Sequence, residues 1–262
     1  MTTTHARTNP NHEVIGAGLV GTARRTGLLY LGLAVTGALG YQFVRGQLFV
    51  AGDPSDTLSN LVDATAMARL GILLELGIVV TQALVAVWFY RLFRSVDTFA
   101  AGLVAVFGMV NAVMILGSAA LLATAFDVAH DSSLAVSGGA AATVQLLYVI
   151  SGHLWTVAGS FFGLWLIPMG WLAVRSSWLP RLLGQVLMVG GVGYVLSTVV
   201  SYVFADAGLA AGLLTVPATV GELWIVGYLI VFGVRDHSRP DLEVAHAGAT
   251  ESASTTGDQH EL

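Results

Sequence analysis

The chain has 262 residues, of which 55% are hydrophobic and only 10% charged, where soluble proteins carry about a quarter charged. A water-soluble fold could not hide that much apolar surface, so the composition excludes a soluble globular protein and points to the membrane. The formal charge of -5 does not mark an acidic surface, because six of the 16 acids fall in residues 235–262, and the lack of a basic patch apart from the arginines that flank apolar runs excludes nucleic acid as a partner.

There is no cysteine, which rules out disulfides, thiolate metal sites, iron–sulfur clusters and a cysteine nucleophile. No cofactor is expected, and no metal site is assigned. All 11 basic residues are arginine.

In chain order, residues 1–22 read as a flexible N-terminal segment, since the first dozen are polar and bury nothing. Gly16-Ala17-Gly18-Leu19-Val20-Gly21 spells the glycine pattern of a dinucleotide-binding turn. That turn follows a strand and is answered by an acid about 20 residues on. Here only Glu13-Val14-Ile15 precedes it, a membrane span follows and no such acid occurs, so the match is read as chance.

A helix needs about 20 apolar residues to cross about 30 Å of hydrocarbon. Six runs qualify, at 26–50, 67–93, 98–125, 146–174, 181–205 and 209–234. Each is expected to be a helix, because a lipid-exposed strand cannot satisfy its backbone. The first run follows Arg24-Arg25 and contains Ala38-Leu39-Gly40, as a cleavable or twin-arginine signal would. The apolar stretch continues beyond any such cut, and an uncleaved span is expected. Gly152, Gly159, Ser160 and Gly163 in the fourth run, and Gly190-Gly191-Val192-Gly193 in the fifth, read as close helix packing. Pro217 is expected to break the sixth helix by freeing a carbonyl one turn earlier. Six spans would suit a three-plus-three inverted repeat, but no internal similarity supports one. Residues 236–262 read as a disordered acidic tail, which leaves 23–235 as a six-span membrane domain.

Arg7, Arg24, Arg25, Arg91, Arg94, Arg175, Arg181, Arg235 and Arg239 fall on one side of the alternation, and only Arg45 and Arg69 on the other. By the positive-inside rule the N and C termini are cytoplasmic, in an all-α integral membrane protein, a six-transmembrane-helix bundle of the cytoplasmic (inner) membrane. Asp53, Asp56, Asp63, Asp127, Asp131 and Asp206 lie in the loops assigned outside.

Several local strings carry a resemblance. Arg25-Thr26-Gly27-Leu28-Leu29-Tyr30-Leu31 opens the first span, and Trp88-Phe89-Tyr90-Arg91-Leu92-Phe93-Arg94 closes the second. Arg175-Ser176-Ser177-Trp178-Leu179-Pro180-Arg181-Leu182-Leu183-Gly184 joins the fourth and fifth, with Gly190 to Tyr194 and Pro217-Ala218-Thr219-Val220-Gly221-Glu222-Leu223-Trp224 beyond. Together they resemble the prokaryotic integral membrane family called domain of unknown function 4386, over roughly 22–235 and most specifically around 175–194 and 217–235. The resemblance implies a six-helix membrane protein and adds no chemistry.

Ionisable groups inside a span are costly, about 2.5–3.5 kcal/mol at a helix centre, so each calls for a reason. Glu222 sits near the middle of the sixth span; His153 lies about 10 Å and Glu75 about 9 Å inside the outer ends of the fourth and second. Arg69 is at the outer mouth of the second span, where it snorkels or meets an acid from another helix. Glu75 and Gln82, seven residues apart, share a helix face, and Asn111 adds a polar group near mid-depth. Arg69, Glu75, Asn111, His153 and Glu222 form the candidate cluster, drawn as one outward-facing polar cavity. Gln82, Asn111 and Gln185 also suit interhelical hydrogen bonds.

Three functions remain open at this stage. The first is transport of a small solute, proton or cation, with Glu222 fed by an outer vestibule of Glu75, His153 and Arg69. The second is a non-catalytic membrane partner whose polar groups specify packing. The third is an intramembrane metal-dependent hydrolase using His153, Glu75 and Glu222. The lipid bilayer is the one partner expected; small-molecule ligand and oligomeric state are not read from the chain.

Overall fold

A computed structural model describes residues 10–204 and 206–234, with side chains described from residue 18 onward. The acidic tail, residues 1–9 and Arg7, Arg235 and Arg239 lie outside the described residues. The described chain is helical: α1 (Pro10–Gly37) runs through a π-helical stretch (Ala38–Val44) into α2 (Arg45–Leu48). There follow α3 (Pro54–Asp63), α4 (Thr65–Phe93), α5 (Thr98–His130), α6 (Gly139–Ser176), α7 (Arg181–Val203) and α8 (Gly208–Val231). Among the described residues, six helical segments are long and apolar enough to cross a membrane, beginning with Gly18–Leu48.

The spans coincide closely with the apolar runs, and the differences lie where helix outlasts hydropathy. α1 already covers Pro10 to Gly18, so the Gly16–Gly21 string sits inside a helix and not at a strand-to-helix turn. α6 starts at Gly139 and α5 continues to His130, because alanine- and threonine-bearing turns propagate a helix without being apolar enough to count as span. α8 continues through Pro217, which corrects the expected break; a missing N–H leaves one carbonyl unpaired, a loss that neighbouring helices and local adjustment make tolerable in a span.

Each spanning helix packs on its neighbours in the chain and α8 closes back onto α1, giving an up-and-down ring whose lightest seam is α1–α8. One end of the ring carries the start of α1 and the end of α8; the other is called distal below. The larger core fills the termini-bearing half around Tyr30, Phe89, Phe93, Trp165, Met169 and Leu183, and a smaller one gathers Val44, Leu48, Leu61, Leu122 and Tyr148 at the distal end. Leu73, Val80, Val113, Val189 and Leu223 are among many large apolar side chains left exposed on the outside. In water such a surface would aggregate; in lipid it is the solvated face.

The α6–α7–α8 wall is drawn tight by glycine. A Cβ on Gly163 would come within 2.5 Å of the Gly191 carbonyl oxygen, and one on Gly184 within 2.6 Å of that of Gly170. Of the small residues noted in the fourth and fifth runs, Gly163, Gly190, Gly191 and Gly193 mark backbone contact, whereas Gly152 and Gly159 meet only side chains. α3 was not foreseen, although its start is written in the chain: Asp53 caps it by accepting from Ser55 N and Asp56 N, both at 3.0 Å, and Pro54 follows at the first helical position. It covers the distal end, burying Leu61 against α4, α5 and α6.

Candidate intramembrane binding site

Between the two cores the ring is not filled. α1, the π-helical stretch, α4, α5, α6, α7 and α8 together surround a cavity of about 460 Å³, within the usual size of a small-molecule site. The π-helical stretch contributes Ala38, Tyr41 and Gln42 to its wall. An extra residue per turn re-aims side chains, which is one reason π-bulges recur at functional sites.

Glu222 opens into this cavity from α8. Its Oε1 accepts a 2.5 Å hydrogen bond from the Tyr30 hydroxyl. Tyr30 is itself held edge-on by Phe89 and Trp165, with ring centroids 5.7 and 5.6 Å away. The phenol is therefore fixed by packing and presents its hydroxyl to the carboxyl. No arginine or histidine is among the lining residues, so an ionised Glu222 would have no countercharge in the wall.

Gln82 also lines the cavity, from α4. It is 0% exposed, and neither Nε2 nor Oε1 has a partner among the described residues. Asn111 on α5 lines the same space and donates through Nδ2 to the Ala158 carbonyl at 2.9 Å. Asn111 thus makes the interhelical bond expected of it, whereas Gln82 makes none. A buried amide with both ends unpaired costs about 1–3 kcal/mol. Gln82→Leu is accordingly expected to raise the melting temperature of the ligand-free protein in detergent. A fall would show that water or a bound solute satisfies the amide.

The distal roof of the cavity is aromatic. Trp155 and Tyr41 lie 4.2 Å apart, and Trp155 Nε1 turns away from the cavity to donate to Glu75 Oε1 at 3.0 Å. Glu75 is 2% exposed, and its Oε2 has no hydrogen-bond partner among the described residues. Beyond it lies a polar network. Arg45 donates to Ser151 Oγ (2.7 Å) and to the Tyr148 carbonyl, and Ser151 pairs with Ser118 at 2.7 Å. The Arg45 guanidinium also lies over Tyr41, Phe49 and Tyr148 at 5.3–5.6 Å.

Of the five candidates, Asn111 and Glu222 share the cavity wall and Glu75 stands behind it, joined through Trp155. His153 and Arg69 do not meet them. The exposed His153 stacks on Tyr202 with Nδ1 3.3 Å from its hydroxyl, and the exposed Arg69 lies over Phe126 at 5.3 Å. The vestibule drawn from the sequence is therefore replaced by a network around Arg45 at the distal end, and the cavity lies between the two cores. Arg69 finds an aromatic face in place of an acid. Gln185 is exposed.

The family profile described as Domain of unknown function (DUF4386) matches residues 25–233, from the first span to the last. The chain belongs to the DUF4386 family. Comparison with curated proteins and with solved structures gave no match. Within this DUF4386 protein, three site residues escaped the sequence reading: Tyr30, noted only within the string that opens the first span; Trp155; and Arg45, set aside as an exception to the charge rule; Gln82 was placed on one face with Glu75 but not among the five candidates. Arg45 carried a usable signal, since an arginine inside an apolar run is by default a residue with a task. Gln82 carried one too, through its seven-residue spacing from Glu75.

Proposed function

We propose that this protein moves a small solute, proton or cation across the membrane through the central cavity, with Glu222 as the exchanging carboxyl. The observation that carries the reading is that Glu222 opens at mid-depth into a cavity whose described walls hold no cation. A charge at that depth is tolerated only with a partner. Neutrality is met by a proton on the carboxyl or by a cationic solute beside it, and exchange between the two is the elementary step of coupled transport. The arginine distribution supports a cytoplasmic membrane location with both termini inside.

The α1–α8 seam is the lightest in the ring, and α1 carries its π-helical stretch beside the cavity. A π-helical stretch inside a helix recurs at functional sites, which suits a role for this part of the first span. In proteoliposomes with an imposed pH gradient, the wild-type protein is expected to collapse the gradient at least ten-fold faster than Glu222→Gln, with both variants equally well folded. Equal rates would remove transport and leave the non-catalytic partner reading. The hydrolase alternative has lost its ligand set: His153, Glu75 and Glu222 go to Tyr202, Trp155 and Tyr30, and no group of three metal-binding side chains gathers among the described residues.

A further inference from the structure

The cavity is closed above and below and open at the side. Tyr41 on Trp155 roofs it, and Tyr30 packed on Phe89 and Trp165 floors it. The α1–α8 seam is knit at the termini-bearing end, where a Cβ on Gly27 would fall 2.9–3.1 Å from Ile230 and Leu229. Farther along the same seam, Ala38 and Gln42 of the first span and Thr219 and Leu223 of α8 line the cavity and are also exposed on the outside of the bundle. At that depth the outside is lipid. The doorway therefore opens onto the bilayer and not onto water.

Inside, the chemistry is that of a cation on an apolar body. The aromatic side chains of Tyr30, Tyr41, Trp155, Phe162 and Tyr194 line the space. Aromatic faces attract ammonium groups, more so where water is absent. Glu222 supplies the carboxyl, and the unpaired Gln82 amide supplies an acceptor for an N–H that Glu222 does not take. An anionic solute would face an acid with no basic group in the described wall, and a plain hydrocarbon would leave Gln82 unpaired.

Resting on the transport reading, we propose that the solute is a lipophilic amine that enters sideways from the bilayer. It crosses the lipid as the neutral base. On arrival the Glu222 O–H bond breaks and an N–H bond forms on the amine nitrogen, so the site goes from a neutral acid and a neutral base to an ammonium–carboxylate pair with no net change of charge. The ammonium is then shared by Glu222, Gln82 and the ring faces, while the apolar body stays against the seam.

The test uses three probes with one apolar body: 2-phenylethylamine, 2-phenylethanol and phenylacetate, titrated calorimetrically into the full chain in lipid nanodiscs, with empty nanodiscs subtracted. The amine is expected to bind at least ten-fold more tightly than either analogue, and to lose at least ten-fold in Glu222→Gln. Gln82→Leu, which keeps the carboxyl, is expected to weaken the amine several-fold while the variant melts no lower than the wild type, separating recognition from damage to the fold. Thr219→Trp, at the doorway, is expected to slow association of the amine several-fold. Tighter binding of the alcohol or phenylacetate, unaltered amine binding in Glu222→Gln, or no amine binding to the wild type overturns the proposal. Amine that binds as expected but crosses proteoliposomes no faster than protein-free liposomes sinks the transport reading and leaves the ligand class standing. Glu222-dependent flux of protons with no preference for the amine does the reverse.

Discussion

Gly190→Leu is expected to abolish the folded bundle. A Cβ at Gly190 would overlap the backbone of Ala218, with the Ala218 nitrogen at 2.5 Å, so it meets main chain and not the yielding end of a side chain. α7 and α8 would have to move apart along a seam that has no flexible group to give way. Overpacking a tight core costs about 1–3 kcal/mol for added methylenes alone, and here the displaced element is a whole helix that also carries Glu222. The purified variant should aggregate, or elute heterogeneously and melt at least 10 °C below the wild type. Gly227→Leu is the control, since a Cβ there meets nothing within 4 Å and the added side chain would face lipid. Equal behaviour of the two variants would show that the α7–α8 contact is looser than the structure has it.

Arg45→Met carries the second large effect. The guanidinium is the distal anchor of the network: it donates to Ser151 and to the Tyr148 carbonyl and covers three aromatic faces. It also supplies the positive charge that acts on Glu75, a carboxyl 2% exposed. Removing the guanidinium leaves Ser151 and the Tyr148 carbonyl without their donor, and a buried polar group left unsatisfied costs about 1–3 kcal/mol. A large fall in melting temperature is expected, and adding Glu75→Gln to Arg45→Met should recover part of it. The double-mutant cycle is decisive here: losses that simply add would mean that Arg45 and Glu75 stabilise the bundle independently. Because Trp155 bridges Glu75 to the cavity roof, Arg45→Met should also loosen the Tyr41–Trp155 pair and alter tryptophan fluorescence.

Depth was legible in the chain and direction around each helix was not. Counting about 1.5 Å per residue from a span end places Glu222 near the middle of α8 and Glu75 near the distal third of α4, and both sit at such depths. The same arithmetic put His153 and Arg69 at depths that suited a vestibule. It says nothing of how each helix is rotated about its own axis. His153 turns outward to Tyr202, and Arg69 to Phe126. Within one helix the rotation is shared, which is why Glu75 and Gln82 were correctly put on one face and are both buried. Between helices it is set by seams such as Gly163 on Gly191, whose partners are far apart in the chain. α3 went unread for another reason: ten residues with a capping Asp53 and an acid, Asp56, in the first turn have no span-like hydropathy, and only the Asp53–Pro54 start betrays the helix.

Membrane residence, the number of spans and their approximate ends were determined by the sequence alone, because insertion is close to a sum of residue transfer terms over about 20 positions and needs no tertiary information. The family followed from local strings for a similar reason. What tertiary structure decided is which polar groups share a space. Glycine contacts draw α6, α7 and α8 together, Gly27 closes the seam to α1 at one end only, and a π-helical stretch sets Tyr41 against Trp155 at the cavity wall. Those contacts leave Glu222, Gln82, Asn111 and Tyr30 around one cavity and shut Glu75 behind Trp155. Close packing is a pairwise property of surfaces distant in the chain, so neither composition nor periodicity contains it.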